Sequence, residues 1–139
     1  MSRRRARERA LQAMYQLEIA ENPVEKALEN TFVMARLSPQ AQGYTEKIVR
    51  GAWECQEAID QYIQKYASRW EVERLTTVDR NILRLAIYEM LHEDEIPLDV
   101  SINEAIEVAK KYSSHRASTF INGILDSVKK DFPAGGEGK

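Results

Sequence analysis

The sequence predicts an all-α fold of about six to seven helices. Three observations carry this. Apolar residues recur at a period near 3.6 in almost every segment. No stretch shows the clean alternation of a half-buried strand. Cap-then-proline and cap-then-acid pairs punctuate the chain where helices should begin. At 139 residues the chain fits one domain, large enough to fold without a disulfide or a metal.

A first helix runs from a cap at Ser2 to about Ala20, with Ala6, Ala10, Ala13, Met14 and Leu17 on one face. Asn22-Pro23 starts a second helix, which reaches about Arg36. Ser38-Pro39 repeats that signal ahead of a long stretch, broken once, to about Ala67. Residues 68–75 read as a short helical turn. Thr76 and Asp79 form a capping pair before VDRNILRLAIYEMLH, a helix apolar on more than one face and so placed in the middle of the fold. The acidic run Glu93-Asp94-Glu95 reads as a solvated loop. Ser101 and Glu104 read as a capping box for SINEAIEVAKKY. In the last helix, over about 116–131, Gly123 interrupts nothing and is expected at a close helix crossing. The domain is expected to span 1–132, with PAGGEGK (133–139) as a flexible tail.

Enzyme signals are absent. His92 and His115 lack second ligands at metal-binding spacing, and no glycine-rich phosphate loop occurs. The expectation is a non-enzyme with no metal and no cofactor. No run of 18 apolar residues exists, so no membrane span is expected. The single cysteine, Cys55, reads as core filler and fits a reducing, cytoplasmic setting.

Charge is unevenly spread. The chain has a formal net charge of -2, yet residues 1–10 hold five arginines and one glutamate. A basic end on an acidic body points to a local anionic partner. Arg4, Glu8, Leu11 and Tyr15 share one helical stripe, with Arg7 beside it and Arg3 and Arg5 close by. Arginine planes and an aromatic ring are what unpaired bases stack on, and several arginines suit phosphates. The plain alternative is that Tyr15 packs on the core edge and the arginines solubilise. A second basic-aromatic cluster lies at the corner between the last two helices: Lys110, Lys111, Tyr112, His115, Arg116 and Phe120. Here too a plain reading stands, since lysines suit a helix C-terminus and Phe120 belongs to an apolar period.

Taken together, RRRARERALQAMYQ, VDRNILRLAIYEML and SINEAIEVAKKYSSHRASTFINGILDSV resemble the NusB family of bacterial transcription antitermination factors, over roughly residues 3–130. The resemblance implies two small packed helical subdomains, about 1–67 and 68–132. It implies binding of single-stranded boxA-like RNA together with a small ribosomal-subunit protein, NusE, and through this an indirect link to the elongating RNA polymerase, notably in ribosomal RNA operons. By position, the RNA surface would use Arg3, Arg4, Arg5, Arg7, Tyr15, Lys111, Tyr112, Arg116 and Phe120. The protein-partner face would use the central helix, through Asp79 and Glu89. Two departures stand out: relatives often carry acid near 115–116 and a basic residue before the phenylalanine, where this chain has His115, Arg116 and Thr119. Some family members dimerise, so a homodimer is open. The other classes are a helical protein–protein adaptor and an RNA-recruiting domain like those of RNA-modifying enzymes.

Overall fold

A computed structural model describes residues 3–132. Among them are eight helices and no strand: α1 (Arg3–Glu18), α2 (Val24–Met34), α3 (Pro39–Glu54), α4 (Gln56–Tyr66), α5 (Arg69–Arg74), α6 (Thr77–His92), α7 (Leu98–Tyr112) and α8 (His115–Lys130). The expected break in the 39–67 stretch falls at Cys55, and the count exceeds the expected six to seven because the 68–75 turn is a capped helix of its own. The expected Ser2 cap and the 133–139 tail lie outside the described residues.

Local chemistry explains most boundaries. Ser38 Oγ accepts from Ala41 N–H, and Pro39 occupies the first turn of α3. Ser68 and Glu71 form a reciprocal capping box on α5. Thr76 Oγ1 accepts from Asp79 N–H at the start of α6, and Ser114 Oγ accepts from Ala117 N–H at the start of α8. Asn22 does not cap α2; its N–H instead donates to Gln16 O, closing the end of α1, with Glu21 in the left-handed region at φ 55°.

α6 is the axle, as its two-faced apolarity predicts. It packs on α1, α3, α4, α7 and α8. Ile82, Leu83, Ile87 and Met90 are buried at its centre. A single apolar cluster runs from Ala6 in α1 to Val128 in α8.

Three local expectations are corrected. Ser101 and Glu104 do not cap α7: the helix starts four residues earlier, after Pro97, because Leu98 joins the buried set. That leaves Ser101 Oγ free to donate to Glu89 across the core. Gly123 faces open space, and nothing lies within 4 Å of a Cβ built there. The close approach is at Gly51, where a Cβ would sit 2.0 Å from the Tyr88 ring. Finally, Glu93 is not solvated; it is buried and accepts from Lys47 Nζ at 2.9 Å.

Two polar networks tie the helices together. Arg84, buried in α6, makes a two-pronged pair with Asp60 of α4 at 2.8 Å on each prong and reaches Glu18 of α1 at 2.6 Å. Glu89, also in α6, accepts from Arg7 Nε and Nη2 at 2.9 and 2.8 Å, from the Tyr44 hydroxyl and from Ser101 Oγ. All its lone-pair directions are served, which is the condition for a carboxylate to be tolerated inside a core. Burial, reinforced by Glu89, pushes the Tyr44 phenol far above its ordinary value.

Candidate nucleic-acid interface

The two basic-aromatic clusters are about a hundred residues apart in sequence, and the fold brings them together. α7 lies along the outer side of α1. Arg4 Nε and Nη2 grip the Glu104 carboxylate at 3.0 and 2.7 Å. One turn on, Glu8 accepts from Lys111 Nζ at 3.2 Å and from the Tyr112 hydroxyl at 3.2 Å. Lys111 Nζ also sits 5.3 Å from the centre of the Tyr112 ring. The arginine-rich start of α1 and the end of α7 therefore form one seam. Tyr15 continues it two turns further along α1, with 48% of its surface exposed.

The predicted residues divide by burial. Arg3 is exposed, paired weakly with Glu95 at 3.4 Å and lying over the Tyr44 ring. Arg4 and Lys111 are exposed at their tips. Arg5 is exposed and donates to the Arg36 carbonyl at 3.1 Å. Arg116 is exposed and Phe120 half-buried, side by side at the start of α8. Arg7 is different. Only 9% of it is exposed, and its guanidinium is committed to Glu89, with Glu104 at 3.5 Å. Burial opposes its charge most strongly, but the hydrogen bonds to Glu89 together with the charges of Glu89 and Glu104 and the Tyr44 phenol outweigh that and hold its pKa above the ordinary value. Arg7 is thus part of the core network rather than of the exposed surface, a correction that follows from its facing α6 instead of solvent.

The expected partner-face residues divide too. Glu89 is 2% exposed and fully engaged inside, so it cannot itself touch a partner. Asp79 is buried, yet its Oδ1 has no hydrogen-bond partner among the described residues. It lines an open cleft of about 340 Å³ together with Trp70, Arg74, Ser114, Arg116 and Phe120. Trp70 is largely exposed, and the Arg74 guanidinium stacks over it at 4.0 Å. Trp70 and Arg74 were not singled out in sequence; the signal available was a tryptophan on a helix too short to bury it. The cleft adjoins a second groove lined by Tyr66, Thr119, Phe120 and Gly123.

No group of three or more His, Cys, Asp or Glu among the described residues is placed to hold a metal ion. No helix among them is long and apolar enough to cross a membrane.

Comparison with known proteins gives concordant matches. The family model described as the NusB family matches residues 4–130. The transcription antitermination protein NusB of Bacillus subtilis is 41% identical over 131 residues, which cover 94% of this chain and 97% of that protein. The solved structure of T. maritima NusB superposes with a TM-score of 0.84 at 38% identity, covering 94% of this chain and 92% of that one. A chain in the crystal structure of the antitermination factors NusB and NusE in complex with double-stranded RNA matches with a TM-score of 0.83 at 26% identity, covering 95% of this chain and all of that one.

Proposed function

The chain belongs to the NusB family, and from that premise we propose that it is a non-enzymatic transcription antitermination factor that binds RNA together with NusE. The observation that carries this reading is the seam: Arg4, Lys111 and Tyr112, drawn from opposite ends of the sequence, are joined through Glu8 and Glu104, with Tyr15 open beyond them. Exposed guanidinium and ammonium groups beside accessible rings suit a phosphate strand with unstacked bases. The RNA in this reading is single-stranded and boxA-like, and the protein works in the cytoplasm, with the RNA polymerase elongation complex as an indirect partner.

The RNA surface comprises Arg3, Arg4, Arg5, Tyr15, Lys111, Tyr112, Arg116 and Phe120. Arg7 supports it from below by holding α1 against α6. Asp79 belongs to the protein-partner face. A buried carboxylate oxygen without a hydrogen bond, as at Asp79 Oδ1, is costly alone and gains from a cationic side chain brought by a partner. The exposed Trp70 beside it has the makeup of an interface anchor.

The deciding experiment is a gel shift with boxA-like RNA, titrated with this protein alone, with NusE alone and with both. Two linked RNA-binding surfaces raise each other's effective concentration, so the pair should bind more tightly than either protein. Equal titrations with and without NusE would defeat the joint reading. Sedimentation of the free protein over a concentration series decides between monomer and homodimer.

A further inference from the structure

The exposed cations of the seam are already occupied. Arg4 is held on both prongs by Glu104, and Lys111 meets both oxygens of Glu8. In each pair the anion is the fixed half. The Glu104 side chain is 17% exposed against 53% for Arg4, and the Glu8 side chain 8% against 58% for Lys111. Glu104 is further anchored by Arg7 at 3.5 Å, and Glu8 by the Tyr112 hydroxyl. Along this seam two cations (Arg4 and Lys111) face two carboxylates (Glu104 and Glu8), and beneath it Arg7 offsets Glu89. The line where α1 meets α7 is therefore electrically balanced, although the sequence it starts from is strongly basic.

We infer that Glu8 and Glu104 act as an electrostatic filter on the RNA surface: they hold down the charge-driven, sequence-blind part of strand binding, so that a strand without stacking bases or a protein partner binds weakly. The inference rests on the RNA-binding reading above. A phosphate approaching Arg4 or Lys111 must draw the cation from a largely buried carboxylate; for Glu104 the other cation at hand is Arg7, itself committed to Glu89. Leaving that carboxylate partly buried and unpaired costs free energy. The charge term, which is blind to sequence and dominates non-specific binding, is thereby largely cancelled. What remains selective is ring stacking at Tyr15 and Phe120 and the contribution of the protein partner. Only the cation of each pair is more than half exposed; solvent screens it there, so the pair adds little to stability, and its position on the seam is better accounted for by what it does to an arriving strand.

The test is Glu104→Gln, which keeps the shape and removes the charge. Oligouridylate serves as the non-cognate strand and boxA-like RNA as the cognate one, each titrated from 0.05 to 1 M salt. Freeing one cation for phosphate contact should steepen the log–log salt slope by about 0.7, equivalent to roughly fivefold tighter oligouridylate binding at 0.1 M than at the same contact's 1 M baseline. The affinity for boxA-like RNA should rise by a comparable factor, because the phosphate term is blind to sequence. Adding Arg4→Ala should abolish the gain. A folded E104Q variant with parental oligouridylate affinity and slope overturns the filter, as does one that binds more weakly. If E104Q lacks a cooperative melt, Glu8→Gln makes the same measurement through Lys111. If neither variant folds, the carboxylates are structural and the filter is overturned. Failure of the parent protein to bind either RNA, with or without NusE, is a separate result that removes the RNA-binding reading itself.

Discussion

Arg4 and Arg7 lie one turn apart on α1, each facing a glutamate two-pronged, yet they do different things. Arg7 points at α6 and is sealed with Glu89, Tyr44 and Ser101 inside the protein. Arg4 points along α7, and its tip is in water beside Glu104. The helical wheel puts them three residues apart and so on neighbouring lines of one surface. What separates them is which neighbour covers which line. The same contrast holds between two glycines. Gly51 lies under the Tyr88 ring, whereas Gly123 faces open space. Residue type and periodicity rank candidates, and the covering helix decides their role.

The largest test of that contrast is Arg7→Ala. Removing one half of a buried charge pair strands Glu89 and should cost about 3–5 kcal/mol of stability, read in a urea melt. Arg4→Ala should leave the melt nearly unchanged and act on RNA affinity instead. Equal stability for the two variants would erase the distinction drawn here. Next comes the glycine pair. Gly51→Ala forces the Tyr88 ring to swing away and should destabilise by about 1–3 kcal/mol. Gly123→Ala meets no neighbour and should stabilise by about 0.5–1 kcal/mol, since alanine favours a helix interior. Thermal melts of the two variants should therefore move in opposite directions.

Tyr15 sharpens the comparison on the RNA side. As an exposed ring on the stripe that begins at Arg4 it should contribute about 1–3 kcal/mol of stacking per base. Tyr15→Ala should weaken RNA binding accordingly, and Tyr15→Phe should largely preserve it. A large drop in melting temperature with intact RNA affinity would instead place Tyr15 with Arg7 as a structural residue. The smallest effect concerns pH. Hydrogen bonds from Arg4 hold the Glu104 carboxyl below its usual pKa. A depressed folded-state pKa contributes stability that is fully present above the unfolded value and is lost as pH falls through the folded one. The difference in melting temperature between the parent and Glu104→Gln should be flat from pH 6 to 8 and shrink only below the ordinary glutamate range, about 4.3. A difference that already varied near pH 7 would mean another group controls it.

The legible parts of the fold are those governed by neighbours in sequence. Ser38-Pro39 and Thr76 cap the helices they precede, because a cap needs only the next three residues. The two-faced apolarity of 77–92 placed α6 at the centre, since a helix greasy on several sides can be satisfied nowhere else. The Ser101–Glu104 box failed for an instructive reason. The motif was locally sound, but burying Leu98 pulled the helix start back to Pro97, and both side chains were taken by long-range partners, Glu89 and Arg4. Arg84 escaped notice because its pairing with Asp60 and Glu18 joins three helices and leaves no local trace.

By itself, then, the sequence determined the helices, the central element, the basic start and the basic-aromatic corner, all of which depend on spacing along one chain. Only the tertiary structure decided that the start and the corner are one seam, that Arg7 and Glu89 are sealed beneath it, and that Glu8 and Glu104 neutralise it. Charge and burial act through space, and a carboxylate a hundred residues away counts as much at 3 Å as one on the next turn.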